Sequence, residues 1–204
     1  MDYNLKLRTQ NSKLSSSSPA PSSPSVAPML PNSKLTTQNL ELPEVAEWAA
    51  AWTKARAEKA LVEYLDGLRV KSFLPLIRKR RVYGRHIRES DLPLFPGYVF
   101  FDRGGIERHK VLESKKVAKV IYTDDSRKLK VELGNIAIAV AGKPLLHNVP
   151  FDVKGTPVRV YKGPFRDLHG EFLRRRGKTV IVIKVTLLSR AVEMEIDEAY
   201  VERT

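Results

Sequence analysis

Residues 94–101 read Leu94-Phe95-Pro96-Gly97-Tyr98-Val99-Phe100-Phe101, and this stretch decides the fold of the first half of the chain. Pro96 and Gly97 mark a turn, and the aromatic and β-branched run after them fits a buried strand. By the period of two, Tyr98 and Phe100 share one face of that strand, while Val99 and Phe101 share the other. Upstream, the basic run Arg78-Lys79-Arg80-Arg81 opens a hairpin arm that continues through Gly84 to Asp91. Before the arm, Val70 to Ile77 is strand-like and is interrupted at Pro75.

Further upstream, Trp48-Ala49-Ala50-Ala51-Trp52 reads as a short apolar strand, a pattern that a helix could also give, with Thr53 as a plausible N-cap for the next helix. Ala57, Leu61, Tyr64, Leu65 and Leu68 recur at steps of three and four, which predicts an amphipathic helix that stops at Gly67. Downstream, Gly104 to Glu113 is a short helix candidate, Val117 to Tyr122 a strand and Gly134 to Ala141 a second short helix. This order predicts an α+β domain of ferredoxin-like topology, with helices on one face of a mostly antiparallel sheet.

The period changes to two after residues 143–155, which carry two prolines and little periodicity and read as a linker. Val158 to Tyr161, Glu171 to Leu173, Thr179 to Val185 and Arg190 to Ile196 are β-rich runs joined by turns at Gly163-Pro164, Gly170, Gly177-Lys178 and Ser189-Arg190. Short strands with tight turns predict a small closed barrel, because closure removes exposed edges, and an SH3-like barrel is the smallest that fits. Residues 1–43 hold nine Ser and six Pro with Tyr3 as their one aromatic, a composition expected of a disordered leader. The expected division is therefore a leader at 1–43, a first domain at 44–142, a linker at 143–155 and a barrel at 156–204.

The 204 residues carry 36 Lys+Arg against 23 Asp+Glu, a net charge of +13 that makes a polyanion the first partner to consider. Cysteine is absent, which excludes disulfides, thiolate catalysis and Cys-based metal centres. The histidines, His86, His109, His147 and His169, lack metal-ligand spacing, and no Gly-x-Ser-x-Gly elbow occurs. Gly177-Lys178-Thr179 imitates the end of a phosphate-binding loop, yet a β-branched strand comes next where a helix must start, so it reads as a hairpin turn. No enzyme activity, cofactor or metal is expected. No apolar run approaches the ~20 residues of a membrane-spanning helix, and a monomeric cytoplasmic protein is expected.

Trp48, Glu58-Lys59, Phe73-Leu74-Pro75 and Pro93 to Phe100 together resemble the N-terminal (NGN) domain of the NusG family of transcription elongation factors. Gly155 to Val160, Gly163-Pro164-Phe165, Gly170-Glu171, Val182 and Leu187 to Glu193 resemble the family's KOW domain, with Asp167 where that pattern has Gly. The Phe-Leu-Pro tripeptide, the basic arm and the Leu-Phe-Pro-Gly-Tyr spelling are similar to specialised paralogues, RfaH and the capsular-polysaccharide antiterminators. The resemblance implies elongation and antitermination. The first domain would bind the clamp helices of RNA polymerase, and the KOW domain would recruit a ribosomal protein or termination factor. The alternative is an RNA- or ribosome-associated protein that uses the KOW barrel directly on RNA.

Three groups of residues are candidates for these contacts. Trp52, Tyr98 and Phe100 would form the polymerase-binding patch, although Phe100 is equally well read as core. Arg78, Lys79, Arg80, Arg81, Arg85 and Arg88 place six cations within eleven residues, either a solvated face or a surface for upstream or non-template DNA. Lys54 and Arg56 join them through the family's DNA-facing surface, and Arg108-His109-Lys110 occupies the position where RfaH-like paralogues read a DNA hairpin. Gly163, Pro164 and Phe165 would form the KOW partner-binding tip, with Phe165 held off the barrel or folded back as a plug.

Overall fold

The structure is a computed structural model that describes residues 42–83, 85–175 and 177–204. The expected leader lies outside the described residues except for Leu42 and Pro43. Four strands build the first sheet: β1 (Trp48–Thr53), β2 (Ser72–Phe73), β5 (Tyr98–Asp102) and β6 (Val117–Ile121), in the order β2-β5-β1-β6. All three pairings are antiparallel. Helices α1 (Glu58–Gly67) and α2 (Arg108–Glu113) connect them in the βαββαβ order that the sequence predicts.

Alternation along the strands divides the core into two layers. Ala49, Ala51, Val99 and Phe101 pack against Leu61, Val62 and Leu65 of α1 and Val111 of α2. Trp48, Ala50, Phe73 and Phe100 face the other way, and a third helix, α3 (Ser126–Ala141), covers them with Leu129, Leu133 and Ile136. The expectation of helices on one face alone is therefore corrected. The helix predicted from Gly134 begins at Ser126, because Asp125 caps it by accepting the Lys128 amide at 2.9 Å. Thr53 is also reassigned: it ends β1, and α1 starts after Ala57 without a side-chain cap.

The arm consists of β3 (Leu76–Tyr83) and β4 (His86–Pro93), a two-stranded sheet of its own. Residues 143–155, expected as linker, contain β7 (His147–Val149), which pairs with β11 (Arg190–Glu195). With β8 (Thr156–Val160), β9 (His169–Arg175), β10 (Lys178–Val185) and β12 (Val201–Arg203) they form a six-stranded antiparallel sheet ordered β12-β8-β9-β10-β11-β7. Among the described residues β7 and β12 end this ladder as edges, so the closed ring expected from the turn spacing is not formed. Gly177, at φ 77°, turns β9 into β10 as a hairpin. Gly170 is not a turn residue but sits inside β9, where a Cβ would strike Ile181 and the Val182 carbonyl.

Helix α3 packs on this second sheet as well. Leu133, Ile136 and Val140 share one apolar cluster with Val158, Val160, Leu168 and Ile181. Polar contacts fix the register of that packing: Asn135 Oδ1 accepts the His169 amide at 2.9 Å, and the Glu132 carboxylate accepts both the amide and the hydroxyl of Thr186.

Candidate functional site

The arm has two chemically different faces, and its pairing register creates them. Residues directly opposite one another across an antiparallel pair share a face. Arg78 lies opposite Asp91, Arg80 opposite Glu89 and Val82 opposite Ile87. On this face cations meet acids: Arg78 Nε is 3.3 Å from Asp91 Oδ1, and its Nη1 is 3.9 Å from Glu89 Oε2. The alternate face pairs Ile77 with Leu92, Lys79 with Ser90, Arg81 with Arg88 and Tyr83 with His86. Among the described residues, Lys79, Arg81 and Arg88 have no carboxylate partner. The six-cation arm is thus divided. Arg78 is ion-paired, Arg80 stands opposite Glu89 in the register, Arg85 is exposed at the tip, and Lys79, Arg81 and Arg88 share the face without acids opposite them.

That side borders a groove of 890 Å³ between the arm and the beginning of α1. Ile77, Leu92, Pro93 and Pro96 supply apolar surface; Lys79, Arg81 and Arg88 line one margin, and Arg56 and Lys59 line the other. Arg56 occupies the left-handed region at φ 57°, a conformation that costs a non-glycine residue roughly 1 kcal/mol. It lies in the tight connection from β1 to α1, where the Ala57 amide donates to the Lys54 carbonyl at 3.1 Å. Lys54 is exposed on the same connection but does not line the groove. Lys59, one turn along the helix from Arg56, joins the site only through the fold. Its sequence signal, an exposed helical charge, was compatible with a solvated face.

The groove adjoins the aromatic patch through one turn. Glu58 is only 8% exposed, and its Oε1 accepts the Gly97 amide at 2.8 Å, which ties the start of α1 to the Pro96-Gly97 turn. Gly97 has φ 85°, and the Trp52 indole lies beside it. Trp52 pairs with Tyr98 on one side and Lys119 on the other, and it remains 49% exposed. Helix α3 covers the Ala50 and Phe100 end of this face, leaving Trp52 and the partly buried Tyr98 at its open end. Phe100 is not part of the surface: it is fully buried, edge-on to Phe95 at 6.5 Å between ring centres.

The remaining candidates lie apart from this pair of surfaces. Arg108, His109 and Lys110 are exposed on α2, where His109 Nδ1 lies 2.9 Å from Glu107 Oε2. Gly163, at φ 86°, makes the tight turn before Pro164 and Phe165. The Phe165 ring is not free: it is partly buried against the apolar cluster and lies on Gly142, just past the end of α3, where it would overlap a Cβ. Among the described residues, no group of His, Asp and Glu could hold a metal ion, and no helix is long and apolar enough to cross a membrane.

Residues 46–135 match the family model described as "Transcription termination factor nusG". The first sheet, the arm and the first part of α3 lie within this match, and the second sheet lies outside it. No curated relative matches the chain.

Proposed function

We propose that this protein is a NusG-type transcription elongation and antitermination factor whose first domain docks on RNA polymerase, with the second sheet acting as a KOW-type recruiting module. The family match over residues 46–135 carries this reading. The geometry supports it, because the matched domain presents Trp52 and Tyr98 beside an uncompensated cationic groove. A half-exposed indole with a neighbouring tyrosine is the composition of an interface anchor, and the cations suit the phosphates of upstream or non-template DNA. The order β12-β8-β9-β10-β11 supports the KOW reading, since it brings the last strand back beside the first of that module. The similarity to specialised antiterminators rests on the spelling of the Phe73-Leu74-Pro75 and Leu94-to-Tyr98 segments.

The activity so proposed is binding without chemistry. A factor that prefers the elongating conformation of the polymerase to the paused one shifts that equilibrium by the difference in its two affinities. Affinity capture from lysate, with and without nuclease, tests the assignment. Retention of RNA polymerase after nuclease supports it, whereas recovery of ribosomal RNA alone would replace it with a ribosome-associated role.

A further inference from the structure

A second groove, of 440 Å³, runs between α3 and the turn of the second sheet that carries Pro164 and Arg166. We propose that this groove is a docking site for the protein's own N-terminal leader, with Leu40 as the anchor. The leader would then strap α3 to the second sheet, whatever the first domain binds.

The way the chain enters the described residues gives the direction. Leu42 itself lines the groove, beside Gly134, Ala137 and Ile138 of α3, and packs partly buried against the apolar cluster. The residues that follow it are pinned. The Glu44 carboxylate pairs with Lys130 near the start of α3, the Glu44 carbonyl accepts from Lys71 Nζ at 2.7 Å, and Val45 is buried. Tracing the chain backwards from Glu44 to Leu42 therefore means moving forwards along α3, towards its end at Ala141.

The spacing of the next step agrees. Ala141 also lines the groove, one helical turn past Ala137, about 6 Å at 1.5 Å per residue. Two residues of extended chain span about 6.6 Å, and side chains two apart share a face. Leu40 is the residue two before Leu42, so an extended continuation sets its side chain against Ala141 and Pro164. Gly134, Ala137 and Ala141 are small, which leaves this stretch of α3 open to a leucine. Glu41, between the two leucines, brings a carboxylate to the margin that Arg166 borders. A tethered segment also has the advantage over any separate partner, because its effective concentration at a groove only two residues away is very high.

The chain has no cysteine, so paired cysteines introduced into the full-length protein report contact cleanly. Three pairs are compared under the same brief oxidation: Leu40→Cys/Ala141→Cys, Leu35→Cys/Ala141→Cys and Leu40→Cys/Val131→Cys. Ala141 and Val131 are both exposed, so the substitutions leave the core alone, and Val131 lies towards the opposite end of α3. The first pair should close an intramolecular disulfide at least fivefold faster than the other two, since bridging needs Cα atoms within about 7 Å. A second measurement asks whether the contact holds the seam. The Gly142 amide donates to the Ile138 carbonyl and the Arg166 amide to the Gly163 carbonyl. In Leu40→Ser, hydrogen exchange at these two amides should rise at least threefold, while the Arg80 and Glu89 amides of the arm stay unchanged.

Equal rates for the three pairs, or faster closure with Val131, would overturn the proposal. A disulfide formed between chains would also overturn it and give the groove to a second copy. Selective closure without any change in exchange would show that Leu40 visits the groove without holding the seam, and would overturn the strap.

Discussion

Phe165 rests its ring on the backbone of Gly142, so closely that any side chain at position 142 would occupy the same space. The two residues come from the tip of the second sheet and the end of α3, and their contact closes the apolar seam that begins with Leu133 and Ile136. Gly142 has φ −71°, an ordinary helical value, so glycine is required there by space and not by backbone conformation. Gly142→Ala is expected to displace the ring and cost about 1–3 kcal/mol, with Gly142→Ala/Phe165→Leu recovering part of the loss. Urea denaturation measures both, and a single-variant loss below about 0.5 kcal/mol would show that the ring moves without consequence.

Two residues on one strand face should respond in opposite ways. Phe100→Ala removes a fully buried ring and is expected to cost about 3–5 kcal/mol of stability. Tyr98→Ala is expected to leave the melting temperature nearly unchanged and to weaken polymerase binding by about 1–3 kcal/mol. A collapse in stability for Tyr98→Ala would reassign it to the core beside Phe100.

The Glu132 carboxylate receives two hydrogen bonds from Thr186, at its amide and its hydroxyl. A double-mutant cycle of Glu132→Ala with Thr186→Ala is expected to show a coupling of about 0.5–1.5 kcal/mol, since the hydroxyl bond is lost in either single variant. Additive losses would mean that the bond contributes nothing beyond the apolar packing around it.

Asp167 combines a left-handed backbone, φ 67°, with an ion pair to Arg159. The hydrogen bond from Arg159 holds its carboxyl below the ordinary aspartate value of 3.8. A depressed carboxylate stabilises the folded state above its unfolded value and loses that contribution as pH falls through its folded one. Asp167→Asn should therefore be less stable than the parent at neutral pH, with the gap closing progressively as pH falls below about 4. Asp167→Gly should be nearly neutral at pH 7, because relief of the backbone offsets the lost pair, whereas Asp167→Val should be clearly less stable, losing the pair and adding strain in the left-handed region. Thermal melts of the three variants at neutral and acid pH check both statements.

Most of the first domain was legible because its signals are local. The Pro96-Gly97 turn, the step pattern of α1 and the alternation of β5 each act over a few residues. What escaped was set by distant partners. The first half of α3 carries Arg127, Lys128, Lys130 and Glu132, which dilute its apolar pattern, and its Asp125 cap reads alone as part of an acidic turn. β7 is recognisable only through β11, and β12 only through β8. The arm was legible as a charged hairpin, but its unequal faces were not, because they depend on which residues of β3 and β4 stand opposite one another.

That register makes the arm a two-sided device whose sides are assigned by counting. One residue inserted within β3 would turn every side chain beyond it to the other face. Past the insertion, cations now matched to acids would move into the groove, and those now facing it would move out, with composition almost unchanged. Drift in this arm should therefore tolerate exchanges of Lys for Arg far better than changes of length. Two proteins with identical net charge could present opposite surfaces to the same partner.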